Sequence, residues 1–245
     1  PDYIEDLDAA LNQAYDHLLK IPKLGGMLFN PLSEPIEVTV KNTGTAEGSV
    51  FLPTGSMSIT NYKLKNFNEM RKVAGHELTH LLQDQHYNTY NAANNKWFFE
   101  ATAEHFSMRA NAFSEPQRGR YYEEGGTDYL RVPLTTSSEK NMYFVGHFLD
   151  WISKTYGETV VPSAIEVGGY GTIIRDDLQY LERAINTHGF TISIEDAYTA
   201  FGRYLAGNPA GYGGINGELK GHMQNIAQTH ISSNLPVFTD QVTYI

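Results

Sequence analysis

The sequence predicts an α+β fold: a small mixed or antiparallel sheet laid down early, one helix dense in ionisable residues, and a mainly helical remainder. Three observations carry this expectation. Residues 36–60 alternate apolar and polar side chains between Gly- and Pro-bearing turn signals, residues 68–85 repeat apolar side chains at helical spacing, and beyond residue 96 the periodic segments are helical. The two parts, 1–95 and 96–245, are read as an N-terminal α/β subdomain and a helical C-terminal subdomain of a single unit.

Taken in chain order, residues 3–20 place Ile4, Leu7, Leu11, Ala14 and Leu18 on one helical face, and Pro22 ends that helix. The segments IEVTV, SVFLP and SMSIT read as two or three antiparallel strands, divided by NTGTAEG and PTG turns. A helix over 68–85 takes its apolar face from Met70, Val73, Ala74, Leu78, Leu81 and Leu82. An Asn-rich loop closes it. A second helix runs over 96–112, and a Gly-, Pro-, Ser- and Thr-rich connection over 113–141 leads to a third helix over 142–156. Connections of that length are uncommon unless functional, and this one reads either as a substrate-covering loop or as an exposed connection. RDDLQYLERAIN, SIEDAYTAFGRYL and ELKGHMQNIAQTH read as later helices, and VFTDQVTYI as a closing strand.

Composition narrows the function. With 245 residues, 41% hydrophobic and only 19% charged, the chain has the balance of a folded domain and not of a solvated tail. Its net charge of -10 repels phosphate backbones and anionic lipid, which argues against nucleic-acid and membrane-surface partners. No apolar run approaches the roughly 20 residues that span a bilayer. The absence of cysteine removes thiolate ligands, so any metal must be held by His, Asp and Glu. The chain opens Pro-Asp-Tyr with neither an initiator Met nor a signal h-region, as a mature product or excised domain does. The composition is that of a secreted or cell-surface bacterial protein.

The sharpest chemical signal is His76-Glu77-Leu78-Thr79-His80, the pattern HExxH, inside a segment that reads as helix on other grounds. Residues four apart on a helix differ by about 40° in direction, so both imidazoles face one way and can share one metal ion, with Glu77 beside them. Chance gives roughly 0.02 such matches in a chain of this composition, against the plainer alternative of two surface or core histidines. A catalytic zinc needs a third protein ligand and leaves a fourth position to water. Two candidates supply it, Glu100 in the next helix and His86 six residues after His80. If the helix continues through His86, that residue points about 280° away from His76. Glu100 comes with Glu104 one turn on, where a carboxylate orients a ligand imidazole through its other nitrogen.

At these residues the chain resembles the gluzincin zinc metallopeptidases, the thermolysin-like and aminopeptidase-like superfamily, whose HExxH helix is followed by a second helix bearing a Glu ligand. Trp97-Phe98-Phe99-Glu100-Ala101 is similar to the WLNEGFA helix of the aminopeptidase-like members, with Phe99 in place of Asn. The metzincin alternative would make His86 the third ligand, but Gln83 stands where that pattern requires Gly. The resemblance covers residues 36–156 and implies a zincin-like fold, with Zn2+ held by His76, His80 and Glu100, Glu104 outside them, and Glu77 as the base. It also implies that Tyr143, in a Tyr-x-x-Gly at a helix start, stabilises the oxyanion. His147, one turn later, is the less favoured donor, and Tyr121, Tyr122 and Tyr129 lie in the long connection.

The implied activity is hydrolysis of peptide bonds in a peptide or protein substrate. No G-x-M-E-N exopeptidase signature precedes His76, and the strand SMSIT stands in the corresponding place. An edge strand there aligns an extended peptide without needing its terminus, which favours an endopeptidase. A zinc aminopeptidase and a non-catalytic zincin-like binding module are the alternatives. The glycine clusters at 168–171 and 211–214 read as turns, and His17, His105, His188, His222 and His230 as surface or core residues.

Overall fold

A computed structural model describes residues 2–41, 48–51, 55–60, 67–86, 96–110, 133–136, 139–169 and 177–207. The architecture is mixed α+β and mostly helical. Helix α1 (Asp2–Leu18) precedes a short hairpin of β1 (Pro22–Lys23) and β2 (Gly26–Met27); β3 (Glu37–Lys41), β4 (Gly48–Phe51) and β5 (Ser56–Thr60) follow. Then come α2 (Phe67–Gln83), α3 (Lys96–Ala110), α4 (Glu139–Tyr156), α5 (Val160–Gly169), α6 (Asp177–Thr187) and α7 (Ile194–Gly207).

The sheet is mixed, in the order β3-β5-β4, with β5 parallel to β3 and antiparallel to β4. The purely antiparallel reading is thereby corrected. Successive strands alternate in direction, but β5 enters between its two predecessors, so β3 meets a strand running its own way. Gly55, at a φ of 64°, supplies the left-handed residue that leads into β5. SMSIT is accordingly the central strand and not an edge. Its Met57 and Ile59 are buried in the core, and β4 is the edge strand on the side of α2.

Helix α1 buries Leu7, Ala10, Ala14 and Leu18 against α2, whereas Ile4, expected on that face, projects from the first turn and is exposed. Helix α3 packs on α1, α2 and α4 at once. Nearly every one of its side chains is buried, from Trp97 to Ala110, because its sequence carries apolar or small residues all the way round. Ser107 Oγ donates to the carbonyl of Lys72 at 2.8 Å and pins α3 to α2. Gly146 lets α4 approach closely, since a Cβ there would lie 3.0 Å from the Cβ and Cγ of Glu104.

Helix α5 was not expected. Its Pro162 sits in the first turn, where a missing N–H costs no helical bond, and Gly169 closes it. One cluster of buried apolar residues runs from Leu7 in α1 to Phe201 in α7. No helix among the described residues is long and apolar enough to cross a membrane. Most of the 113–141 connection, with Tyr121, Tyr122 and Tyr129, lies outside the described residues, as do the 218–230 helix and 237–245 strand read from the sequence.

Candidate metal centre

Helix α2 carries His76 and His80 on one face, and α3 brings Glu100 to meet them. His76 Nε2 lies 3.1 Å from Glu100 Oε2, His80 Nε2 lies 3.3 Å from that oxygen, and the two Nε2 atoms are 3.1 Å apart. A tetrahedral ion with bonds of about 2.0–2.1 Å sets its ligand atoms roughly 3.3–3.4 Å apart, so the triangle is close to the size such an ion needs. Two imidazoles and one carboxylate form a donor set that suits zinc and its first-row neighbours. This group could hold a metal ion. All three side chains are largely shielded, and the two imidazole rings stand edge to face.

Outside the triangle, each histidine has a distinct partner. Glu104 Oε2 lies 3.5 Å from His76 Nδ1, and its other oxygen lies 3.7 Å from Lys72 Nζ. His80 Nδ1 lies 2.8 Å from Gln83 Oε1, and the Phe99 ring stacks on His80 with centroids 4.4 Å apart and planes 13° from parallel.

The electrostatics follow from these contacts. Burial works against a proton on His76, but the hydrogen bonds to Glu100 and Glu104, with the charges of Glu100 and Glu77, outweigh it and raise its pKa to about 10. Burial also works against the charge on Glu100, yet its bonds to His76 and His80 hold its carboxyl well below the usual range. Glu104, fully buried, is likewise held low against burial, chiefly by the Lys72 ammonium and then by His76.

Glu77 lies under the edge strand. A Cβ on Gly48 would come within 2.7 Å of Glu77 Cγ and Oε1 and 2.8 Å of Val73 Cγ1, so only a glycine lets β4 pass this close. Tyr143, in the first turns of α4, is half-buried and presents its ring edge-on to His76 at 5.9 Å. Asn141, two residues earlier and buried, donates to the Thr136 carbonyl at 2.9 Å and anchors the start of α4 to the preceding turn.

One of the residues singled out in the sequence stands elsewhere. His86 is not with the ligands: its Nε2–H donates to the Leu28 carbonyl at 2.8 Å, and its ring packs on Phe29. His147 is wholly buried and lies within electrostatic reach of Glu104. Sequence reasoning missed Gln83, Lys72 and Gly48. Lys72, one helical turn before His76, and Gln83, three residues after His80, left a signal in their spacing, whereas Gly48 left none. A cleft of about 490 Å3 between α1 and β3 is reached from α2 by Leu78, two residues from each ligand histidine and hence on the opposite face. Comparison with protein-family models, curated proteins and solved structures finds no match for this chain.

Proposed function

We propose that this protein is a zinc-dependent metallopeptidase of zincin-like fold that hydrolyses internal peptide bonds. The observation that carries the reading is the triangle of His76 Nε2, His80 Nε2 and Glu100 Oε2, with Glu77 on the same helix beside it. His76, His80 and Glu100 would hold the zinc ion, which when bound would supply a Lewis acid able to polarise a carbonyl or lower the pKa of water. Glu77 would take a proton from the attacking water as its oxygen adds to the scissile carbonyl carbon, and would return that proton to the amine nitrogen as the C–N bond breaks. The Tyr143 phenol donates to the carbonyl oxygen as negative charge grows there. Tyr143, half-buried with its ring against His76, is the favoured donor over the fully buried His147.

The endopeptidase reading rests on β4 in place of SMSIT. Among the described residues β4 has one paired edge, toward β5, and runs directly over Glu77. An extended peptide adding to its other edge passes the base without its terminus being held.

The test exposes an unbiased peptide mixture to zinc-loaded protein, with Glu77→Gln as control, and reads every new terminus by mass spectrometry. Internal cuts absent from the control are expected. Stepwise N-terminal trimming would make the protein an aminopeptidase. Zinc uptake without cleavage of any peptide would make it a binding module.

A further inference from the structure

Gln83 ends α2, and its side chain is completely buried. The carboxamide makes three contacts. One end lies 2.8 Å from His80 Nδ1; the other lies 3.1 Å from the Phe99 carbonyl and 2.6 Å from Thr102 Oγ1. Which end is oxygen is settled by the network. A carbonyl only accepts, so the group facing Phe99 must donate and is the NH2. The Thr102 hydroxyl gives its hydrogen to the Phe98 carbonyl at 2.7 Å and is free to accept from the same NH2. The amide oxygen therefore faces His80, and His80 Nδ1 must carry a hydrogen. A neutral imidazole has one, so Nε2 keeps its lone pair. Nε2 is the atom that points at His76 and Glu100.

We propose that Gln83, held by Phe99 and Thr102, is the positioning residue that fixes His80 in its Nδ1–H form and aims Nε2 at the metal. The proposal rests on the metal-centre reading above and adds a second, chemically different support to it. His76 leans on a carboxylate, Glu104, and His80 on a neutral amide. The difference has a physical reason. Glu77, Glu100 and Glu104 already crowd three carboxylates around this buried site, and an amide supplies the acceptor that Nδ1 needs without desolvating a fourth charge.

The test uses the full chain with 15N-labelled histidine, in the metal-free state and during zinc titration against a competing chelator. Gln83→Glu keeps an acceptor on Nδ1 but loses the donation to Phe99; Gln83→Met keeps the volume and loses both. Long-range proton–nitrogen correlation should show His80 protonated at Nδ1 in the native protein and in Gln83→Glu, and no longer fixed so in Gln83→Met. Zinc affinity should fall about 10–100-fold in Gln83→Met and stay near native in Gln83→Glu. A merely structural clamp would lower affinity alike in both variants, and that result overturns the proposal, as does a native His80 protonated at Nε2. The underlying reading is decided separately: if native protein and Glu100→Ala bind zinc equally weakly the metal centre fails, and the nitrogen spectra still judge Gln83.

Discussion

Gly48 crosses over Glu77 with so little clearance that a single added carbon would sit 2.7 Å from both its Cγ and its Oε1. The strand and the Glu77 side chain are thus packed as one unit, and the hydrogen side chain of residue 48 sets where the carboxylate can be.

Gly48→Ala should therefore push Glu77 aside without touching the ligands. The expected result is a fall in kcat of up to about 10²-fold, the scale for an ångström-size misplacement, with zinc affinity unchanged. Steady-state kinetics on a peptide substrate, with metal content measured in parallel, checks this. Native kcat in the alanine variant would show that the strand does not constrain the base.

Glu100 and His86 compete for the third ligand position on sequence grounds, and the geometry separates them. Glu100→Ala should abolish stoichiometric zinc binding, whereas His86→Ala should retain zinc and lose stability through the missing bond to Leu28, by about 1–3 kcal/mol. Metal analysis after dialysis, with thermal unfolding, distinguishes the two. Zinc loss on removing His86 would reverse the assignment.

Tyr143→Phe removes a hydroxyl and leaves the ring against His76. A drop of about 10²–10³-fold in kcat is expected, with KM and zinc content little changed, because the donor acts only as charge develops. Equal kcat in the two proteins would exclude the phenol from catalysis.

The metal-free protein should be most stable in mildly acidic solution. The His76 pKa is raised on folding from 6.5 to about 10, so its contribution is complete below pH 6.5 and is lost as pH climbs from there to about 10. Glu100 and Glu104 are lowered below 4.5, so theirs is present above that value and is lost on further acidification. With chelator present, Tm should peak between pH 4.5 and 6.5 and decline toward pH 9. Zinc affinity should rise over the same alkaline range, because the ligands must shed their protons. A Tm that climbs from pH 6.5 to 9 in chelator would contradict the pairing of His76 with Glu100.

Much of this centre was legible because its parts recur at helical spacing. His76 and His80 lie four apart in a segment whose apolar side chains mark the helix, and Glu100 and Glu104 repeat that interval on α3. What spacing does not encode was missed. Alternation along SMSIT identifies a strand but not its neighbours, so the central strand was read as an edge. Pro162 and the Gly168-Gly169 pair look like interruptions, yet they fall in the first turn and at the end of α5, where a helix tolerates them. Gln83 registered only as a misplaced glycine. Its role depends on Phe99 and Thr102 arriving from another helix, which no local pattern contains.

The candidate ligands His76 and Glu100 lie 24 residues apart in the chain and on two helices packed directly together. An ion bound between them is a cross-link, and the stabilisation it brings through mass action grows with the free metal concentration. That gain should be felt where the staple sits. Amide hydrogens of α2 and α3 should exchange more slowly once zinc is added, while those of α6 and α7, which contribute no ligand, keep their metal-free rates except where exchange requires the whole molecule to unfold.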